Sequence, residues 1–209
     1  MRELIRVRTA RPLLSDGAAA PRGLRYQPSF ITAQSEHELI AQIRALPLAP
    51  FQFGAFEGKR RVASFGWRHD YNQHKLEQAE DLPVWIAPLI VKVQAFAGLP
   101  AASIRQVLFT EYGKGTGIGW HRDKPHFDQV FGLSLASACK FRFRRKTGRT
   151  WQRFTLEAEP RSLYMMAGES RSIWEHSIPP VDSPRYSITF RTMAGETTPA
   201  FRPPGQIAR

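Results

Sequence analysis

From residue 105 to residue 193 the chain is written in short runs of alternating apolar and polar residues, separated by turn formers. RQVLFTEY, VFGLSLAS, CKFRFRR, QRFTLEAEP, RSLYMMAG and RYSITFRTM follow one another in this way. A period of two sends successive side chains to opposite faces of a strand. In KFRFRR, Phe141 and Phe143 therefore face a core while Arg142 and Arg144 face out. Lys146-Thr147-Gly148-Arg149 reads as a hairpin turn. GKGTGIG, after RQVLFTEY, reads as a flexible link. Short strands this evenly spaced bury their apolar faces only against one another, so the expectation is an antiparallel double sheet buttressed by helices.

Upstream the period changes. SEHELIAQIRAL (35–46) sets Leu39, Ile40, Ile43 and Leu46 at helical spacing behind Ser35, the expected N-cap. Residues 82–98 read as a second helix entered through Pro83, burying Leu89, Val93 and Phe96 and stopped by Gly98-Leu99-Pro100. Residues 1–24 show no period and read as a loose arm. With no repeat and no composition boundary, 1–209 reads as one domain whose sheet core spans 105–195.

Thirty Lys and Arg against eighteen Asp and Glu give a net charge of +12 and a pI near 10.5. That balance favours a polyanionic partner, nucleic acid before membrane. No apolar run is long enough for a membrane helix, and MRELIRVRTARPLLSDG lacks the apolar stretch of a secretory signal. The single Cys139 excludes an intrachain disulfide and fits a reducing, cytoplasmic setting. A monomer is expected.

GIGWHRD (117–123) puts His121 and Asp123 two apart, where an extended chain would aim both at one ion. Histidine is plentiful enough to offer decoys. His126 and Asp128 repeat the spacing, while His69, Asp70 and His74 sit in a polar, aromatic stretch with nothing nearby to complete a site. His37 lies on the polar side of the first helix, and His176 sits in SIWEHSIPP, a strand end closed by two prolines. Two imidazoles and a carboxylate suit a non-haem Fe(II) site, but a zinc enzyme wants a similar set, so ligand types alone leave the metal open. Further on, Arg185 and Arg191 share one face of RYSITFR, three pleat repeats apart. Each is a fork for a carboxylate, and two arginines facing inward from a core strand are costly without a dianionic guest. The glycines at 113, 115, 117 and 119 lack the Lys-Ser/Thr ending and following helix of a phosphate loop.

The ordered set Tyr112, His121-Arg122-Asp123, His176 and Arg185-Tyr186-Ser187-Ile188-Thr189-Phe190-Arg191 resembles the AlkB family of Fe(II)/2-oxoglutarate dioxygenases, with GLSLAS, FRFRR, MMAGESR and WEHSI in the family's order. The likeness covers the C-terminal half well. It is thinner over 25–100, where FGAFEGKRRVASFGWRHDYN is similar to the family's nucleotide-recognition lid. The resemblance implies a mostly β fold, a double-stranded β-helix (jelly roll) with N-terminal helices and lid loops. It implies His121, Asp123 and His176 as Fe(II) ligands, Tyr112 and Arg185 on the distal carboxylate of 2-oxoglutarate, and Arg191 near its metal-bound end. Many relatives carry Asn where this chain has Thr110.

The activity implied is O2-dependent dealkylation of bases in alkylated DNA or RNA, yielding succinate, CO2 and an aldehyde. The alternatives are the same chemistry on tRNA or protein side chains, or a catalytically silent nucleic-acid-binding module. Within the candidate lid, 57–74, Arg60 and Arg61 are expected on phosphates and Trp67 and Tyr71 on an extruded base.

Overall fold

The computed structural model describes residues 19–53, 56–70, 75–78 and 80–195. β1 (Leu24–Gln27) and α1 (Ala33–Arg44) precede β2 (Ala49–Phe53), β3 (Phe56–Asp70) and β4 (Lys75–Gln78). A 3-10 turn (Val84–Ile86) enters α2 (Ala87–Ala97). Then come β5 (Gln106–Tyr112), β6 (Ile118–His121), β7 (Phe127–Leu135), β8 (Cys139–Thr147), β9 (Thr150–Ala158) and β10 (Leu163–Met166). The short α3 (Glu169–Ser172), β11 (Glu175–Ile178) and β12 (Arg185–Met193) close the fold.

The strands form two antiparallel sheets. The larger runs β1-β10-β7-β12-β5-β3-β2, with β4 on the far end of β3, and the smaller runs β6-β11-β8-β9. One core lies between the large sheet and the helices, where Phe109, Phe131, Leu133, Ile188 and Phe190 meet Ile43, Ile86 and Val93. The other joins Val130, Tyr164 and Met166 of the large sheet to Phe141, Phe143, Phe154 and Leu156 of the small one. Because the large sheet is covered on both faces, β7 is buried almost end to end. The expected jelly roll is present, and its sheets are held apart by alternate residues of the same strands.

Several local expectations change. The N-cap of α1 is Thr32, not Ser35: its Oγ1 accepts from the Ser35 amide at 3.1 Å, and the helix begins earlier, at Ala33. The second helix begins as a 3-10 turn behind Pro83 and ends at Gly98 in the left-handed region (φ 68°). Residues 1–18 of the expected arm lie outside the described residues, but Leu24 already pairs with Met166 in the large sheet. The stretch read as a link supplies the first residues of β6.

The stretch read as lid loops is extended chain over most of its length. Residues 57–70 belong to one 15-residue strand, β3, and Arg61–Gly66 pair with Glu111–Gln106 of β5. Ala63 and Phe65 are buried on its core side, Phe65 edge-on to Phe109 at 5.8 Å. Polar and small residues on its other side hide the period of two.

Gly132 on β7 leaves room for the ring of Tyr164, its cross-strand neighbour on β10 in the same sheet. A Cβ there would lie 2.1 Å from Cζ of Tyr164. Gly132→Ala should therefore destabilise the protein by about 1–3 kcal/mol through overpacking. Denaturant unfolding measures it, and an unchanged midpoint would show that the Tyr164 ring moves freely.

Candidate active site

A cleft of about 1040 Å³ opens between the sheets. On its small-sheet side, β11 and β6 pair so that His176 stands opposite His121. The two rings meet edge-on with centroids 4.3 Å apart. Asp123 does not share their strand, because β6 stops at His121. Instead Arg191 of β12 holds the carboxylate, donating from Nη2 at 2.9 Å and Nε at 3.2 Å to Oδ1. The other oxygen, Oδ2, then lies 3.5 Å from His176 Nε2. Tertiary structure, not strand alternation, gathers the three.

The electrostatics suit a cation. Burial pushes His176 down to about 3 and lowers His121 as well, so both imidazoles are neutral near neutral pH. Burial alone would raise Asp123, but Arg191 above all holds it well below the usual carboxylate range. His121 Nδ1 lies 2.9 Å from the Gly119 carbonyl; as the donor there, it leaves Nε2 with the lone pair. Two neutral imidazoles and one carboxylate form the donor set of a facial triad. Among the described residues no three His, Cys, Asp or Glu groups stand in ready coordination geometry. His176 lies against both His121 and Asp123, and Asp123 is turned toward Arg191.

Arg191 is fully engaged, since its Nη1 donates to Gln106 Oε1 at 2.6 Å and Gln106 Nε2 in turn donates to Ser64 Oγ at 3.2 Å. Arg185, on the same strand, is fully buried. Its Nε and Nη2 share the Ser134 hydroxyl at 3.3 and 3.2 Å, and its guanidinium lies 4.8 Å from the Tyr112 ring centroid. Nη1 has no hydrogen-bond partner, and no carboxylate among the described residues pairs with the group. Burial works against its charge, but Cys139, Tyr112 and Tyr164 more than offset that, so its pKa is raised. A buried cation with an unmet donor is a seat for an anion.

The remaining sequence candidates separate by the alternation of β3. Arg60 lines the cleft, its guanidinium 3.8 Å from the Phe51 ring centroid. Arg61 points to the opposite face, bonded to Glu111 at 3.0 Å and the Leu48 carbonyl at 2.8 Å, which argues against its reading as a phosphate contact in the cleft. Trp67 lies off the cleft lining, and Tyr71 lies outside the described residues, as does His74. Tyr112 and Thr110 both line the cleft, whereas His126 and Asp128 do not.

Sequence reading missed Gln106, Tyr164 and Arg171. Arg171, on α3, donates to the carbonyls of Lys124 and Phe127, clamping the turn that follows Asp123. Nothing in MMAGESRS distinguishes it from a surface arginine.

Three neutral or anionic groups held this way imply a pH dependence. The unfolded chain takes up protons on its histidines near pH 6.5, which the fold refuses at His121 and His176. Unfolding free energy of the metal-free protein should thus fall progressively as pH drops from about 6.5 toward 3, with Asp123 adding to the loss below about 3.8. Denaturant midpoints across that range should decline, and less steeply in His176→Gln. A flat profile would mean these imidazoles are solvated.

A profile described as the 2OG-Fe(II) oxygenase superfamily matches residues 23–191. An Arabidopsis thaliana protein named "Alkylated DNA repair protein ALKBH8 homolog" is 29% identical over 184 residues, covering 75% of this chain and 51% of its own. The Mus musculus "tRNA (carboxymethyluridine(34)-5-O)-methyltransferase ALKBH8" is 29% identical over 168 residues, covering 78% and 25%. The chain thus spans about half or less of the length of these curated relatives. In fold it is similar to the solved structure of OsALKBH1, with a TM-score of 0.65 at 16% identity over 86% of this chain and 99% of that one. A 2OG-Fe(II) oxygenase-family oxidoreductase from Burkholderia pseudomallei gives 0.58 at 16% identity over 82% and 85%. The chain belongs to the 2OG-Fe(II) oxygenase superfamily, whose members use Fe(II), 2-oxoglutarate and O2.

Proposed function

We propose that this cleft oxidises an alkyl group on a nucleic-acid base, with His121, Asp123 and His176 as the iron ligands and Arg185 with Tyr112 as the seat of the distal carboxylate of 2-oxoglutarate. The observation that carries the reading is the pairing of a neutral two-imidazole, one-carboxylate cluster with a buried Arg185 whose Nη1 lacks a partner. Fe(II) with 2-oxoglutarate and O2 supplies a C–H to C–OH oxidation coupled to release of succinate and CO2.

The chain's residues supply the rest. His121 and Asp123 approach from the end of β6 and His176 from β11, so the ligands converge from two segments while one side of the cluster stays open to the cleft. Arg191 fixes the Asp123 carboxylate and keeps it ionised. Buried against Tyr112, which lines the cleft, Arg185 offers its free donor away from competing water. Lys59 and Arg60 stand on the cleft wall, where a phosphate would arrive. A hydroxylated carbon on a ring nitrogen leaves as an aldehyde; on a ring carbon it stays.

The net charge of +12 supports a nucleic-acid substrate. RNA is placed first because the mouse relative is named for a tRNA uridine. Repair of alkylated DNA is the second reading, supported by the name of the Arabidopsis relative. Comparing succinate release with alkylated RNA, alkylated DNA and peptide tests both; stimulation by peptide alone would overturn them.

His121→Ala, Asp123→Ala or His176→Ala should each abolish Fe(II) binding and succinate release while the fold persists, as circular dichroism would report. Arg185→Ala should weaken 2-oxoglutarate binding roughly ten- to a hundredfold, the effect of losing a charged hydrogen bond of about 1.5–3 kcal/mol. Arg191→Ala should weaken 2-oxoglutarate binding too, and iron binding with it, because its fork is bonded to Asp123. Calorimetric titration of each ligand separates the two, and unchanged 2-oxoglutarate affinity in Arg185→Ala would give that residue another role.

A further inference from the structure

The outer face of the small sheet carries charge that the cleft does not use. Residues 139–158, the β8–β9 hairpin, hold seven Lys or Arg from Lys140 to Arg153 against one carboxylate, Glu157. Seven less one is +6, so half of the chain's +12 sits in twenty of its 209 residues.

Alternation sorts these side chains. Phe141, Phe143, Phe154 and Leu156 enter the core, so Arg142, Arg144 and Lys146 project outward, joined across the hairpin by Trp151 and Arg153. Arg144 stands directly opposite Arg153, and like charges so placed destabilise a sheet. Glu175, 2.7 Å from Arg144, neutralises one of them, and Glu169, 3.2 Å from Arg145, neutralises another of the hairpin's seven cations. Excess charge kept at such close quarters calls for an external anion.

Flat rings accompany the cations. The Arg144 guanidinium lies 4.4 Å from the Trp120 ring centroid and 4.5 Å from that of Trp151, with Arg142 5.1 Å from Trp120. Trp151 is 39% exposed. Trp120 also lines the catalytic cleft and precedes His121 in the chain. A strip of guanidinium and indole planes therefore runs from the cleft mouth at β6 to the hairpin at β9.

We infer that this face is a track for a single strand of RNA leading away from the cleft; the inference rests on the nucleic-acid reading of the site. A four-stranded sheet with outward rings and cations suits unpaired bases, which stack on aromatic and guanidinium planes while phosphates meet the flanking charges. Duplex grooves are read instead by protruding helices or ribbons. An anionic membrane would find one exposed indole here, too little apolar area for insertion.

The test is fluorescence anisotropy with an unmodified, mixed-sequence single-stranded RNA oligonucleotide across a salt series, beside the matching DNA strand and the RNA duplex. Lys146→Gln and Arg153→Gln should each flatten the salt dependence by about 0.7 in slope, one phosphate contact apiece on a single strand. Trp151→Ala should weaken RNA binding roughly five- to 150-fold, the range for loss of one stacking ring. Thermal unfolding and 2-oxoglutarate binding report that each variant is folded. Wild-type affinity and slope in all three variants, with RNA still oxidised, would overturn the track and leave the substrate reading standing. Equal or tighter binding of the DNA strand or the duplex would overturn the assignment to single-stranded RNA. A wild-type protein that neither binds nucleic acid nor releases more succinate in its presence would overturn the substrate reading, and the track with it.

Discussion

The ion pair between Arg191 and Asp123 holds the site together. Asp123 lies beyond the end of its strand, so no ladder fixes it; a fork from the middle of the large sheet does. The same fork keeps the carboxylate ionised against burial. Gln106 and Ser64 then pin the arginine itself from two neighbouring strands. Removing either charge would strand the other in a nearly dry place, typically a loss of 3–5 kcal/mol. Registration of β12 with β5 and the position of a candidate ligand are thus one constraint.

β12 carries a second charge with a different fate. Arg185 and Arg191 share a face, as their spacing predicts, yet only Arg191 is matched by a carboxylate. One hydroxyl, Ser134, serves two nitrogens of Arg185, and Tyr112 covers it with a ring. A fold selected for stability alone would place an apolar residue there. The expectation that two buried arginines demand a dianion narrows to one donor with one unmet bond.

Much of this was legible in the residues. Alternation from 105 onward marked the strands of the double sheet and sorted Phe141 and Phe143 from Arg142 and Arg144. The histidine and arginine positions came from an ordered resemblance, because His-x-Asp alone occurs again at His126 and Asp128. What stayed hidden depends on contacts far apart in sequence. β1 to β4 escaped notice because LRYQ and KLEQ are only four residues long, APFQF holds a proline, and EGKRR in β3 has the charge and glycine of a loop. Gln106, Arg171 and Ser134 matter through partners 42 to 85 residues away, which no local pattern encodes. Nor does charge composition separate Arg60 from Arg61; only the pairing of β3 with β5 assigns them to opposite faces.

β3 also changes what the rim of the cleft is mechanically. Arg60 directly precedes Arg61 and Val62, which are paired along both edges, to β2 and β5, and the strand's other side is anchored by Phe65 in the core. A guest touching that wall meets a surface already in place, with little backbone freedom to surrender on contact. Such a wall discriminates by shape before it adapts. Guests that differ by a few atoms would be sorted at the rim rather than accommodated by it, and tolerance for new ones would have to come from side-chain rotamers alone.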